Sequence, residues 1–439
     1  MKLGTVLAGV LAVVFTLAPA VTTAAEKAIF IPSMAYRTGP YAPSGIPWAN
    51  GFADYFALVN EKYGGINGVK ILWEECETQY KTDLGVECYE KLKKSGPTGA
   101  VVANPWSTGI TYQLIPKAAV DKVVVHSMGY GMTAAADGRW FPWVFNFPMT
   151  YWSQASAVVK YIAEQEGGLD KLKGKKIAHV YHNSPYGREA NPTLETLAAK
   201  HGFELITLAV DHPGQEQKAT WLQVRRASPA WVYISGWGVM NQVAVKEALA
   251  VGYPMKKLIG NWWTGSEADL VPTGASAKGY RATTFYVPGA GFPVHADILK
   301  HVYDKGKGAG PRERVGEVMY NRGMINAMYD VEAIRTAMGK FGNISLTGEQ
   351  VRWGFEHLAL TEKRLEEVGM KGFTKPITIT CANHEGDGQL LIQEWDGAKW
   401  KVSSGWIEPM RDVIRPKLEE AAIEEAKKLG YSMRDCSKE

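Results

Sequence analysis

The sequence lacks the features that define several large classes of protein. Its 439 residues include only four cysteines, too few for a scaffold built on disulfides in a chain of this length. An excess of one charge is also missing, because 49 Lys and Arg face 45 Asp and Glu, a formal net charge of +4. We therefore expect no nucleic-acid partner. Beyond the N-terminal segment, no apolar run approaches the ~20 residues that a membrane-spanning helix needs.

Motifs for catalysis and for cofactor binding are equally scarce. The chain has no GxSxG nucleophile elbow, no HExxH pair, no phosphate-binding loop and no CxxC spacing. Residues 129–134 fit the GxGxxG/A dinucleotide pattern, but they follow the fourth strand signal rather than the first. They also lack the acidic residue expected about 20 positions further on. We expect no cofactor, no metal and no enzymatic activity.

Residues 1–25 have the pattern of a secretory signal peptide. Lys2 supplies the positive start, residues 6–18 form a mostly apolar run, and small residues follow up to Ala25. The run is too short to span a membrane, and its small-residue end favours cleavage after Ala24 or Ala25. The pattern predicts export and removal of this segment.

Export changes the interpretation of the four cysteines. Cys76 ends a strand-like run and Cys88 lies early in the next helical segment, so the two can meet. An oxidising compartment would keep such a pair bridged. Four cysteines allow three connectivities. We favour Cys76 with Cys88 and Cys381 with Cys436.

Strand and helix signals alternate along most of the chain. A first series runs from residue 28 to residue 126, and a second begins with the helical segment 151–166. This alternation is typical of parallel sheets covered on both faces. We predict an α/β fold with two doubly wound parallel-sheet lobes joined by a hinge. Residues 377–402 contain short strands joined by turns, which predict a small antiparallel C-terminal appendage.

Tryptophan is what the sequence has in excess, with fifteen residues beside 20 Tyr and 13 Phe. In doubly wound sheets, ligands bind outside the carboxyl ends of the strands. Most predicted strand exits carry an aromatic ring together with a hydroxyl or a free backbone N–H, as small-molecule sites do. The alternative is that these rings only pack between loops. The candidate ligand-binding residues are Tyr41, Trp48, Trp106, Ser107, Thr108, Met128, Gly129, Tyr130, Tyr186, Trp237 and Trp262.

Three short segments make the chain resemble a known family. Residues 62–68, KYGGING, match that family's "NxxGGINGxx" end of the first helix. Ser107-Thr108 fits its Ser-rich loop after strand three, and Tyr186-Gly187 fits its "YG" element. Over about residues 27–375 the sequence resembles periplasmic solute-binding proteins of the ABC-transporter branched-chain amino acid/amide-binding group. These motifs indicate the fold more specifically than they indicate the ligand.

The resemblance implies a type I periplasmic binding fold whose lobes close on a ligand. Lobe 1 would comprise residues 26–148 plus 287–375, and lobe 2 residues 149–286 plus 376–439. The protein would be periplasmic and monomeric, and would deliver a small molecule to an ABC transporter permease in the inner membrane. A sensory module of the same fold, coupled to a regulator or sensor kinase, remains an alternative. An exported enzyme that uses the same cleft is a third and less favoured reading.

One departure from the family bears on the ligand. By position, Ser107 and residues 128–130 would hold a carboxylate or amide, Tyr186 would stack on the ligand, and Trp237 would act as a lid. The family's Gly-Pro-Glu loop, whose acid pairs the ligand's ammonium, here reads Gly260-Asn261-Trp262-Trp263. A buried ammonium without a carboxylate is costly. The sequence therefore predicts an aromatic or hydrophobic ligand, with or without a carboxylate, rather than an α-amino acid.

Overall fold

The computed structural model describes Met1 and residues 27–438. Apart from Met1, the predicted signal peptide lies outside the described residues. The strands are β1 Ala28–Ala35, β2 Lys70–Glu77, β3 Val102–Ala103, β4 Val124–His126, β5 Val144–Phe145, β6 Lys176–His182, β7 Glu204–Val210, β8 Trp231–Ser235, β9 Leu258–Gly260, β10 Arg281–Thr284, β11 Ala359–Leu360, β12 Ile377–Thr378, β13 Leu391–Trp395 and β14 Trp400–Val402.

Helices separate most of these strands and cover the sheets. The helices are α1 Ala42–Tyr63, α2 Thr82–Leu92, α3 Thr108–Asp121, α4 Tyr151–Glu166, α5 Pro185–Arg188, α6 Asn191–His201, α7 Lys218–Ala227, α8 Val239–Ala250, α9 Glu267–Leu270, α10 Pro293–His301, α11 Val318–Phe341, α12 Gly348–Glu356, α13 Glu362–Glu367 and α14 Arg411–Leu429.

The first five strands form what we call the N-terminal sheet. β1 pairs with β2, and β3, β4 and β5 pair in that order, all in parallel. Two isolated parallel bridges, Phe30 to Ala100 and Ser33 to Asn104, connect β1 to the chain around β3. The side chains of β1, β3, β4 and β5 are buried, as expected for parallel strands with helices on both faces.

A seven-stranded C-terminal sheet has the order β14-β13-β10-β9-β8-β6-β7. The strands from β6 to β10 run in parallel, whereas β13 pairs antiparallel with β10 and β14 pairs antiparallel with β13. The predicted α/β class with parallel sheets and a small antiparallel element is confirmed. The appendage extends the C-terminal sheet rather than standing apart from it.

The C-terminal tail contains more than the predicted strands. Helix α14 follows β14, and its buried positions, Ile414, Leu418, Ala422 and Ala426, recur at intervals of four residues. That interval places one apolar stripe on one face of a helix. We had predicted only strands and turns for this tail, so the appendage prediction is incomplete.

Close helix packing places one of the candidate tryptophans. A Cβ atom on Gly51 of α1 would lie 1.9 Å from the backbone oxygen of Tyr320, and a Cβ on Gly323 of α11 would lie 1.9 Å from that of Trp48. Only glycine permits this approach, so α1 and α11 cross with their backbones in contact. The crossing fixes Trp48 on the buried face of α1.

The structure contains both disulfides in the favoured pairing. Cys76–Cys88 joins β2 to α2, with 5.7 Å between the Cα atoms. Cys381–Cys436 joins the segment after β12 to the C-terminal end, at 5.8 Å. The described residues contain no helix long and apolar enough to cross a membrane.

Candidate functional site

A small cavity is lined by residues that follow strands of both sheets. It encloses about 190 Å³ of empty space, including any that opens to solvent. Space of this size is below the ~300 Å³ at which pockets for drug-sized ligands begin. The lining residues are Trp48, Tyr80, Trp106, Ser107, Tyr130, Tyr151, Tyr186, Trp237 and Trp263.

On the side of the N-terminal sheet, a buried polar network orients Trp106. The indole Nε1 donates to Asn326 Oδ1 at 2.9 Å, and Asn326 Nδ2 donates to Asn104 Oδ1 at 2.7 Å. Asn104 Nδ2 then donates to Asp330, which also meets His126 Nδ1 at 2.7 Å. Burial raises the pKa of Asp330. These bonds satisfy polar groups that would otherwise be costly to bury, and they hold the ring in one orientation.

On the side of the C-terminal sheet, hydrogen bonds between neutral groups hold the lining rings in place. Trp263 Nε1 donates to Tyr151 Oη at 2.7 Å. Tyr186 Oη donates to the Gly236 carbonyl at 2.8 Å and accepts from Asn261 Nδ2 at 2.7 Å. Burial raises the pKa of both tyrosines well above the ordinary value, so both phenols stay neutral at physiological pH.

The indole rings from the two sides contact each other. Trp48 stacks on Trp106 and on Trp263, each with a centroid separation of 5.0 Å and interplanar angles of 27° and 16°. Trp237 meets Trp263 edge to face at 5.4 Å and 76°. Offset stacked and edge-to-face pairs are the favoured arrangements of aromatic rings. The cavity is therefore an aromatic box with perpendicular walls.

No charged side chain lines this box among the described residues. A buried cation, Arg322, contacts its wall, with the guanidinium 4.6 Å from the centroid of the Trp263 ring. Arg322 Nη2 donates to the Trp262 carbonyl at 3.0 Å, and Nε donates to Tyr286 Oη at 3.1 Å. Within the part of the chain that the structure describes, no cluster of His, Cys, Asp or Glu could hold a metal ion.

Two polar contacts beside the cavity join elements of the two sheets. In the first, which we call the histidine clasp, Tyr41 Oη lies 3.0 Å from both His182 Nε2 and His212 Nδ1. Tyr41 precedes α1, whereas His182 ends β6 and His212 follows β7. A hydroxyl can donate to one neutral ring and accept from the other. Burial, and then the neighbouring His212, lowers the pKa of His182 to about 3, so both roles are available at neutral pH.

In the second contact, the glutamate clasp, Glu189 follows α5 and bonds residues that follow strands of the N-terminal sheet. Its carboxyl accepts from the hydroxyl of Tyr112 and, at 2.7 Å, from that of Thr133. The Thr133 backbone N–H also donates to it, at 3.3 Å. Burial raises the pKa of Glu189.

The structure brings six of the eleven predicted site residues to the cavity. These are Trp48, Trp106, Ser107, Tyr130, Tyr186 and Trp237. Five others do not line it. Tyr41 belongs to the histidine clasp, while Thr108, Met128 and Gly129 are buried nearby. Trp262 stacks on Tyr151 at 5.7 Å instead of facing the cavity.

Sequence reasoning missed three lining residues, Tyr80, Tyr151 and Trp263. Tyr80 follows β2, a strand exit that we did not include, so the same rule would have found it. Tyr151 is the first residue of α4. Trp263 adjoins the Trp262 that we chose, and only the conformation of the loop after β9 decides which of the two rings enters the cavity.

Two α/β sheets that share a buried aromatic cavity at their strand exits define a small-molecule-binding protein of the two-lobed kind. The sequence profile of the periplasmic binding protein family matches residues 28–399. The chain belongs to the periplasmic binding protein family. Its structural neighbours include ABC-transporter substrate-binding proteins of the branched-chain amino acid binding type.

Solved structures agree with this assignment. A protein described as an ABC transporter permease from the Pseudomonas fluorescens group is 44% identical, with a TM-score of 0.88 and coverage of 94% of this chain and 100% of that one. A branched-chain amino acid ABC transporter protein from Thermus thermophilus with bound valine is 22% identical, with a TM-score of 0.72 and coverages of 88% and 99%.

A third structure shares the fold at lower identity. This R. palustris solute-binding protein in complex with benzoate is 16% identical, with a TM-score of 0.67 and coverages of 87% and 97%. A search of curated proteins finds no match.

Proposed function

We propose that this protein is a periplasmic receptor that binds a small aromatic or hydrophobic solute, with or without one carboxylate, and delivers it to an ABC transporter permease. The observation that carries the proposal is the aromatic cavity without charged lining residues. Burial of apolar surface against such walls supplies most of the affinity of a small-molecule site, and a few polar groups fix the orientation.

The two lobes of this proposal are residues 26–148 plus 287–375 and residues 149–286 plus 376–439. Ligand binding would stabilise the closed arrangement of the lobes, which the permease would recognise. Both clasps join elements assigned to different lobes, which supports closure around the cavity.

The ligands named for the structural neighbours include valine and benzoate. The described lining offers no carboxylate to pair an α-ammonium group. This chemistry favours a benzoate-like solute over an amino acid, because an unpaired ammonium in a closed site loses its hydration without compensation.

Calorimetry on residues 26–439, stripped of bound solute by unfolding and refolding, tests the proposal. We expect benzoate or 4-hydroxybenzoate to bind more tightly than valine or leucine. The Trp237→Ala variant should weaken binding about fivefold or more, because a buried aromatic contact is worth ~1 kcal/mol. Trp406→Ala, in the tail and remote from the cavity lining, is the matched control. Tight binding of leucine with no response to aromatic acids would contradict the proposed ligand class.

A further inference from the structure

The unpaired polar groups of the cavity wall include hydrogen-bond donors, and the hydroxyl of Tyr130, which is also unpaired, can donate or accept. The indole N–H groups of Trp48 and Trp237 are buried and form no hydrogen bond of normal length among the described residues, although the Tyr36 hydroxyl is close to that of Trp237. An indole nitrogen can only donate. Ser107 Oγ accepts from the Ile110 backbone N–H, and its hydroxyl can still donate one hydrogen bond and accept another.

Other buried indoles show that an unpaired N–H alone is not a site. Trp262, Trp353 and Trp400 also have indole nitrogens without a partner, but none of these rings lines the cavity. What distinguishes Trp48 and Trp237 is that their N–H groups are unpaired in the wall of a space that a solute can occupy.

Arg322 adds a buried positive charge behind the same wall. Its side chain is fully buried, and its hydrogen bonds go to the Tyr286 hydroxyl and the Trp262 carbonyl rather than to a carboxylate of the described residues. Its Nη1 also has no hydrogen-bond partner. Its guanidinium lies 4.6 Å from the centroid of the Trp263 ring, which lines the cavity. A buried cation without a counter-ion is costly, and an anion bound nearby would offset that cost.

From the unpaired indole donors in the cavity wall and the uncompensated guanidinium behind Trp263, we infer that the solute accepts hydrogen bonds, carries no positive charge, and is no larger than a single substituted ring. A carboxylate satisfies these groups best and a neutral amide or carbonyl satisfies them in part. This inference rests on the proposed function and specifies its ligand.

The inference separates this box from an aromatic cage for a cation. Rings arranged at right angles commonly bind quaternary ammonium groups through their π faces. Here the guanidinium of Arg322 already lies over Trp263, and it also lies 4.4 Å from the centroid of Phe285. A second cation in the box would be repelled by the first, in surroundings with few charges to screen the repulsion.

The size limit follows from the free space. The empty space is at most about 190 Å³, including any that opens to solvent, and the Trp48 ring stacks directly on Trp263. The rings themselves fill most of the cleft, so a long chain or a fused-ring solute would have to separate these stacked indoles.

Two isosteric series test the inference by calorimetry on refolded residues 26–439. One is benzoate, benzamide and benzylammonium, and the other is isobutyrate, isobutyramide and isobutylammonium. In at least one series we expect the carboxylate to bind tenfold or more tighter than the ammonium, with the amide between them. Equal or tighter binding of the ammonium overturns the inference and leaves the receptor function standing.

The series also separates failure of the inference from failure of the proposed function. If none of the six compounds binds but a larger solute such as octanoate does, the size limit is wrong and the receptor function stands. If no solute of any size binds, the proposed function itself fails.

Conservative variants test the named groups. Trp48→Phe and Trp237→Phe keep an aromatic ring and remove the N–H, so each should weaken binding of the preferred carboxylate about fivefold or more. Arg322→Met should lower carboxylate affinity more than amide affinity, while Arg322→Lys should retain the preference. Trp406→Phe is the control, and a thermal unfolding curve confirms that each variant folds. If both Trp→Phe variants bind the carboxylate as tightly as the wild type does, the indole N–H groups do not donate to the solute. That result would contradict the inference whether or not the Arg322 variants fold and bind.

Discussion

The interior of the cavity and its rim differ in the chemistry that they use. The interior consists of rings, phenols and one serine, with no charged lining residue among those described. The rim carries the titratable groups, with His182 and His212 around Tyr41 on one side and Glu189 on the other. The difference suggests a division of roles. We propose that the interior selects the solute by shape and hydrogen bonding, whereas the rim sets how readily the two sides stay together.

The largest expected effect belongs to the interior. Trp106→Ala removes a ring that is 2% exposed and leaves Asn326 without its donor, so unfolding free energy should fall by about 3–5 kcal/mol. Trp406→Ala should cost far less, because that ring is only half-buried in the tail. Urea denaturation of both variants measures the difference. Similar losses of unfolding free energy in the two variants would show that the cavity wall stabilises the protein no more than ordinary packing does.

The glutamate clasp should give the next largest effect. Glu189→Ala leaves the hydroxyls of Tyr112 and Thr133 without their acceptor, at a cost of about 2 kcal/mol. Glu189→Gln retains an acceptor oxygen and should recover much of that loss. Chemical denaturation measures the loss of stability in both variants, and calorimetry measures their solute affinity. A Gln variant as destabilised as the Ala variant would show that the charge of the carboxylate matters, and not its hydrogen bonds.

The histidine clasp should make stability depend on pH. Below pH 6.5 the unfolded chain binds a proton at His182, whereas the folded protein resists doing so until about pH 3. Stability from this residue is therefore complete above pH 6.5 and is lost as the pH falls toward 3, at up to ~1.4 kcal/mol per unit.

Because buried carboxyls also titrate, the measurement is the difference between the wild-type protein and His182→Gln in urea denaturation at pH 7 and pH 5. The wild-type protein should lose more stability on acidification than the variant does. His357→Gln changes an exposed residue and should behave as the wild type. Parallel pH profiles for wild type and His182→Gln would exclude the histidine clasp as the source.

The smallest expected effect is that of Tyr41→Phe. The ring stays and only the hydroxyl between the two imidazoles is lost, so the cost should be about 1 kcal/mol. Solute affinity should fall by a similarly small factor, without a change in the preference among solutes. A change in that preference would mean that Tyr41 belongs to the interior, as the sequence had suggested, and not to the rim.

The sequence predicted the fold better than it predicted the site. Alternating strand and helix signals sufficed for the parallel sheets, because buried strands and amphipathic helices leave strong patterns. Helix α14 was not predicted, because few of its residues are buried and two of these, Ala422 and Ala426, are small.

The residues that line the site could be predicted only in part from the sequence. The strand-exit rule identified Trp106 and Trp237, whose position follows from the topology alone. It could not decide between Trp262 and Trp263, because both follow β9 and side chains at adjacent positions diverge. That choice depends on three-dimensional contacts, such as the bond from Trp263 Nε1 to Tyr151.

The most direct test is a crystal structure of the protein purified from the cells that produce it, with its solute retained. We expect a compact solute within the box formed by Trp48, Trp106, Trp237 and Trp263, with an oxygen acceptor on the indole N–H of Trp48 or Trp237. A solute bound elsewhere, or an ammonium group against these rings, would contradict it.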